Sequence, residues 1–198
     1  MSARDLVASA LTISDNAAAD ALIDLVGLAS VDAFTRRLGL TETHLHATLR
    51  DTIDSIGRDA GFDDYAGRQQ FWASDPDPDQ TSTVNRGVTA SAALDSHRGS
   101  YTTAEDMARL LTSVWSDHAS TPAVCARVRT LMGQRLTRHR IASGFGPTVD
   151  VAAESGGLMG RVRNEIGVVT GPDGTSAAIG SAAAIAVGRL LNGRPGDS

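Results

Sequence analysis

Several residue types are scarce or missing in this 198-residue sequence. All eighteen basic residues are arginines and no lysine occurs, so chemistry that depends on a lysine side chain is not available to these residues. Cys125 is the only cysteine, which excludes an intrachain disulfide and a cysteine-rich metal site. Its apolar surroundings predict a buried core thiol. Aromatic residues make up only 4%, so aliphatic side chains must fill the core.

The sequence also lacks an excess of positive charge and a long apolar run. A net charge of −5 argues against a general nucleic-acid binder. The apolar stretch 177–191 is shorter than the roughly 18 to 20 residues that span a bilayer. No apolar signal-peptide segment follows Met1, so a cytoplasmic chain is expected as written. One basic cluster lacks interleaved aromatic residues and predicts a solvated helix face, namely Arg127, Arg129, Arg135, Arg138, His139 and Arg140.

What is present is chiefly helical periodicity, with apolar residues recurring every three or four positions. Polar residues that cap helices precede several of these segments, and glycines follow them. Three helices are predicted near the N-terminus: residues 3–12, the Ser14-Asp15-Asn16 box to Gly27, and Val31 to Leu38 with Ser30 as the N-cap. Two more are predicted further along the chain, one beginning at the capping box Thr102-x-x-Glu105 and one at Thr121-Pro122.

The last fifty residues change character. Two strands are predicted, from Val149 to Val151 and from Arg163 to Val169, and Pro172-Asp173-Gly174 is a turn signal. A helix of small residues is predicted from about Ser176 to Leu191. We therefore expect a single domain over 1–198, with a helical lobe in 1–145 and a remnant of a sheet lobe plus a C-terminal helix in 146–198.

Four stretches carry a common pattern in a fixed order: residues 11–23 (LTISDNAAADALI), 31–39 (VDAFTRRLG), 102–111 (TTAEDMARLL) and 151–169. A bare Ser-Asp-Asn tripeptide is an ordinary helix start, so the first stretch gains its meaning from the other three. Together they resemble class A serine beta-lactamases and their penicillin-binding relatives. The resemblance implies an α+β fold of the beta-lactamase/DD-peptidase type, with the helical lobe retained and a reduced antiparallel sheet.

The resemblance implies a role for each residue of the Ser-Asp-Asn box. In the family, the box serine relays a proton toward the leaving nitrogen, and that role falls on Ser14. The box asparagine hydrogen-bonds the substrate amide, which makes Asn16 the corresponding residue. Asp15 is expected to be structural and to hold the turn.

The family's Lys-Thr-Gly strand, which gathers the substrate carboxylate, corresponds here to Glu154-Ser155-Gly156. Ser155 and Gly156 suit this site, because it needs a hydroxyl donor and a close backbone approach. Glu154 reverses the charge, and an ion pair near 4 Å is worth about 4 kcal/mol at an effective dielectric of 20. Arg161 and Arg163 are candidates for binding the carboxylate instead, with exposed strand charges as the alternative.

Further departures from the family pattern concern the catalytic groups and the sheet. The Ser-x-x-Lys nucleophile motif normally precedes the box, and only thirteen residues precede Ser14. Asp51 is the carboxylate nearest to the sequence position of the family's deacylating glutamate. His44 and His46 could share a strand face and bind a metal, but no third ligand is in view. The pattern shows no strand after the Pro172-Asp173-Gly174 turn, so exposed strand edges and self-association are expected.

Three hypotheses stay open. The chain is a serine hydrolase acting on a beta-lactam or a D-Ala-D-Ala-like peptide, a truncated and inactive product of such a gene, or a non-catalytic module that binds a ligand or partner. The expected ligand is a small molecule or peptide, such as a beta-lactam or a peptidoglycan-type peptide. No cofactor, metal, nucleic acid or membrane span is expected, although family members usually work outside the cytoplasmic membrane.

Overall fold

A computed structural model describes residues 1–95, 98–136, 140–159 and 162–181. Within these ranges, helices precede a three-stranded antiparallel sheet in the order β1-β2-β3, which is the expected α+β architecture. None of the helices in these ranges is long and apolar enough to cross a membrane. The elements are α1 (Ala3–Ile13), α2 (Asn16–Val26), α3 (Leu28–Arg37), α4 (Leu49–Asp59), α5 (Tyr65–Ala73), α6 (Pro78–Thr89), α7 (Ala104–Trp115), α8 (Pro122–Gly133), β1 (Asp150–Gly157), β2 (Arg163–Thr170) and β3 (Ser176–Ser181), with 3-10 turns at Ala92–Leu94 and Ala142–Gly144.

Two helix starts differ from the sequence prediction. Helix α3 begins at Leu28 rather than Val31, because Gly27 at φ +78° turns the chain directly from α2 into α3 without a side-chain cap. Helix α7 is capped by Thr103 and not by Thr102, since the Thr103 hydroxyl accepts the amide of Asp106 at 3.1 Å. The Thr121-Pro122 start of α8 is confirmed.

The predicted C-terminal helix is wrong over its first turns, because Ser176–Ser181 forms strand β3. A turn with Gly174 at φ +80° reverses the chain, and β3 then pairs with β2 from Thr170↔Ser176 to Glu165↔Ser181. The strand that the pattern did not show is therefore present. Small residues carry little periodicity of their own, so pairing with β2 decides their conformation. The remainder of the predicted helix lies outside the described residues.

The sheet carries apolar residues on both faces. On one face Val168 packs with Leu111 of α7 and Met132 of α8, so these two helices cover the sheet. On the other face Val151 and Ile179 belong to a second cluster, which includes the segment before β1. Cys125 is buried on α8 with the side chains of α7, which confirms the predicted core thiol.

Candidate functional site

The Ser14-Asp15-Asn16 box forms the joint between α1 and α2. Ser14 ends α1 in a left-handed conformation, with φ 58° and ψ 43° and its amide donating to the Ser9 carbonyl. A non-glycine residue held there costs about 1–3 kcal/mol and is often found at functional sites. Asp15 starts α2 by accepting the amide of Ala18 at 3.1 Å, and Asn16 is the exposed first residue of that helix. This turn places Ser14 at a sharp, half-buried corner.

Strand β1 lies opposite this corner. The Ser14 hydroxyl donates to Oε1 of Glu154 at 3.5 Å, across a separation of 140 residues in the chain. Gly156 follows two positions later, and the space where a Cβ would stand there is open. The structure therefore brings Ser14, Glu154 and Ser155-Gly156 to one place, with free access to the backbone at Gly156.

Arg135 completes the cluster, although sequence reasoning placed it on a solvated helix face. That prediction is wrong for Arg135, because α8 ends at Gly133 and the residue is only 6% exposed. Its Nη1 forms an ion pair with Oε2 of Glu154, and its Nη2 donates to the Ser155 hydroxyl at 2.8 Å. The next residue, Leu136, donates its amide to the Thr12 carbonyl at 3.0 Å, which ties this segment to the end of α1.

A sequence signal for Arg135 existed. Glu154 follows Val151 and two alanines, and a carboxylate in such an apolar segment needs a cationic partner once the segment packs against the rest of the fold. The rest of the basic cluster is also not a uniform solvated face, because Arg129 donates to the Val114 carbonyl at 2.6 Å and pairs with Asp117. Arg138 and His139 lie outside the described residues.

The electrostatics of the cluster centre on Glu154. Burial raises the pKa of the Glu154 carboxyl, the Arg135 guanidinium and the Ser14 hydroxyl oppose that rise, and the Glu165 carboxylate adds to it. Glu165 is itself buried on β2 and accepts the amide of Ile141 at 2.8 Å. The cluster therefore holds a carboxylate that gives up its proton less readily than an ordinary glutamate.

The remaining candidates lie elsewhere. Arg163 donates to the carbonyls of Leu158 and Val162, both at 2.7 Å, and so serves the β1–β2 hairpin rather than the Ser14 corner. Arg161 lies outside the described residues. Arg140 donates to the carbonyls of Asn164 at 2.8 Å and Gly156 at 3.4 Å.

The histidines and Asp51 do not join this cluster either. Nδ1 of His44 lies 3.2 Å from a carboxylate oxygen of Asp32, and the ring centroids of His44 and His46 are 5.9 Å apart. Asp51 sits in the first turn of α4, where it accepts the Thr48 hydroxyl at 2.7 Å. Among the residues with assigned positions, no three metal-ligating side chains come together.

A cavity of about 530 Å³ lies at the far end of the β1–β2 hairpin, and none of the residues of the Ser14–Glu154 cluster lines it. It lies between the backbone bridge His44–Tyr101 and the β1–β2 hairpin, and Asn164 is part of its wall. Asn164 pairs with Gly156 in the sheet, so this wall of the cavity is one strand away from Gly156. Its volume falls in the range of small-molecule sites, which is about 300–1,000 Å³.

Comparisons with solved structures place this geometry in a known fold. The chain is similar to PBP-A, with a TM-score of 0.67 and 18% identity over 97% of this chain and 60% of that one. It is similar to the beta-lactamase of Sphaerobacter thermophilus, with a TM-score of 0.64 and 21% identity over 94% and 59%. An ancestral class A beta-lactamase matches with a TM-score of 0.68 and 21% identity over 96% and 65%.

Sequence comparisons agree with the fold. The beta-lactamase regulatory protein BlaB of Streptomyces cacaoi is 24% identical over 185 residues, which cover 86% of this chain and 56% of that protein. The chain thus spans 56% to 65% of the length of these relatives. A family model described as "Beta-lactamase enzyme family" matches residues 1–184. The chain therefore belongs to the beta-lactamase enzyme family, with the fold of class A beta-lactamases and penicillin-binding proteins.

Proposed function

We propose that this chain is a non-catalytic member of its family that binds a beta-lactam-like or peptide-like ligand between the Ser14–Asn16 turn and strand β1. The observation that carries the proposal is the 3.5 Å approach of the Ser14 hydroxyl to Glu154. This contact supports an arrangement in which the α1–α2 joint and β1 are the two walls of one cleft. Both walls offer polar groups to a ligand that lies between them.

The outer edge of β1 supports a peptide-like ligand. Strand β1 pairs with β2 on one side, and no strand among the described residues pairs with its other side. An extended ligand can add to such an edge through main-chain hydrogen bonds. Gly156 leaves room for this approach, and the exposed Asn16 amide faces solvent at the start of α2. The cavity one strand away from Gly156 would hold a ligand side group.

The surroundings of Ser14 support binding without turnover. A serine nucleophile needs a base that takes its proton. The hydroxyl of Ser14 faces a carboxylate that is already engaged by Arg135, and these 198 residues contain no lysine. The relative BlaB is described as a regulatory protein, which is consistent with a family member that binds and does not hydrolyse. A mutant of the structural relative PBP-A has been solved as an acyl-enzyme complex with penicillin G, and penicillins are therefore suitable probes.

Titration calorimetry with the methyl ester of benzylpenicillin tests the proposal. We expect saturable binding without a gain in protein mass. Asn16→Ala should weaken it about five- to tenfold, because a lost hydrogen bond is worth about 1–1.5 kcal/mol. Asn85→Ala is the matched control, because Asn85 is an exposed asparagine on α6, away from the cleft. Its affinity should equal that of the wild type.

Two results would overturn the proposal. A covalent adduct that disappears in Ser14→Ala would make the chain an acyl-transfer enzyme. Absence of binding by the ester, together with absence of binding by D-alanyl-D-alanine peptides, would mean that the cleft is not a ligand site of this class.

A further inference from the structure

Arg135 has the properties of an anion-binding residue. It is buried, its Nη2 already holds the Ser155 hydroxyl, and its Nε has no hydrogen-bond partner among the described residues. A buried guanidinium requires an anion, and its planar fork suits a carboxylate. The Ser155 hydroxyl lies against Arg135, and the Ser14 hydroxyl donates to the same Glu154 carboxylate that Arg135 pairs with. These groups form the donor set of a carboxylate site.

That site is filled from within the chain. The Glu154 carboxylate receives Arg135 on Oε2 and the Ser14 hydroxyl on Oε1, which are the contacts that a ligand carboxylate would make. Its side chain keeps 23% of its surface exposed, so it stands at the mouth of the site and not behind it. Glu154 therefore competes with a ligand's carboxylate for these donors.

On the basis of the ligand cleft proposed above, we propose that Arg135, Ser14 and Ser155 form an anion subsite that Glu154 occupies. A ligand carboxylate then enters only when Glu154 is neutral. At neutral pH the cleft then selects ligands that carry no negative charge at this point. Protonation or removal of the Glu154 charge leaves Arg135 without a counter-ion and opens the subsite.

The charges around Glu154 support a response to pH. Arg135 faces it from the segment after α8, Ser14 from the α1–α2 joint and Glu165 from β2. Arg140, just before the Ala142–Gly144 turn, donates its guanidinium hydrogen bonds to the backbone carbonyls of Gly156 and Asn164 and not to Glu154. Burial raises the pKa of Glu154, so its charge is lost at a higher pH than for an exposed glutamate.

Benzylpenicillin and its methyl ester form a matched pair of probes, because they differ only in the carboxylate. Calorimetry at neutral pH should show that the wild type binds the ester more tightly than the acid. Glu154→Gln should bind the acid about tenfold more tightly than the wild type does, with little change for the ester. The double variant Glu154→Gln/Arg135→Gln should lose this gain, and Glu105→Gln, an exposed carboxylate on α7, should behave as the wild type.

A pH series on the wild type gives a second test that needs no folded variant. The affinity for the acid should rise relative to that for the ester as the pH falls from neutral toward the ordinary carboxyl pKa, because Glu154 takes up its proton before that pKa is reached. An ester that binds, with an acid-to-ester ratio unchanged by Glu154→Gln and by pH, would overturn this inference and leave the proposed function standing. If neither the wild type nor the variant binds the ester, and D-alanyl-D-alanine peptides also fail to bind, the proposed function itself is overturned.

Discussion

Arg135 and Glu154 are two single residues that define the character of the site. Arg135 is placed by the chain beyond α8 and Glu154 by β1. Each needs the other, because Arg135 is buried and only 23% of the Glu154 side chain stays exposed. The pair fixes the edge strand against the end of the helical lobe. It also sets what Ser14 can do, since the serine hydroxyl is used as a donor to the shared carboxylate.

Breaking the pair on one side should be costly. Arg135→Met is expected to lower the free energy of unfolding by about 3 kcal/mol, because it leaves the Glu154 carboxylate without its partner. This is the lower end of the range for breaking a buried ion pair, since Glu154 keeps some contact with water. The double variant Arg135→Met/Glu154→Leu should lose much less, since no unpaired charge remains. Urea unfolding measures both. Equal stability of the single variant and the wild type would contradict this account.

The Glu154 carboxyl also gives stability a defined dependence on pH. Its pKa is raised in the folded state, so the folded protein holds this proton more tightly than the unfolded chain does. The contribution of Glu154 is therefore present in acid and is lost as the pH rises from the ordinary carboxyl pKa to the raised one. The free energy of unfolding of the wild type minus that of Glu154→Gln should fall as the pH rises through that window. Above the window this difference should stay constant.

Asp5 provides a control of opposite sign. The Ser2 amide and hydroxyl lower the pKa of its carboxyl at the start of α1. The contribution of Asp5 to stability is present above the ordinary carboxyl pKa and is lost as the pH falls. The free energy of unfolding of the wild type minus that of Asp5→Asn should therefore rise with pH. The same direction of slope in both variants would show that the sign assigned to one of them is wrong.

At the scale of elements, glycines decide how closely helices approach. A Cβ on Gly57 of α4 would stand 2.6 Å from the carbonyl carbon and oxygen of Asp64, so Gly57→Ala should cost about 1–3 kcal/mol through overpacking. Gly133, at the end of α8, has nothing within 4 Å of the same point. Gly133→Ala should be neutral or stabilising by up to about 1 kcal/mol. Thermal unfolding compares the two, and equal effects would contradict the packing described for α4.

The elements also show where local pattern is sufficient. Helices α1 and α2 begin and end close to their predicted positions, and α8 begins at its predicted start, because Ser2, Asp15 and Thr121 cap them within one turn of sequence. Strand β3 was predicted as a helix, since its small residues show no alternation until they pair with β2. The buried position of Arg135 was missed for the same reason, because its partner lies on β1.

At the scale of the whole molecule, the sheet edges predict self-association. Ala177 lies exposed on β3, and β3 has no second neighbouring strand within the described part of the chain. Exposed strand edges pair with other chains unless charge blunts them. Sedimentation velocity should show dimers that grow with concentration and are reduced in Ala177→Lys. A single monomeric species at every concentration would contradict this prediction.

The amino-acid sequence alone determined the class of fold, most helices and the residues of the Ser14–Asn16 turn, because caps, periodicity and the order of motifs are local properties of the chain. It also indicated that Glu154 reverses the charge of the family's Lys-Thr-Gly strand. Only the tertiary structure decided how that charge is met, since Arg135, Ser14 and Glu154 come together from three distant segments. A buried charge is stabilised by whichever opposite charge lies close to it in space, and the separation of two residues along the chain does not predict that distance.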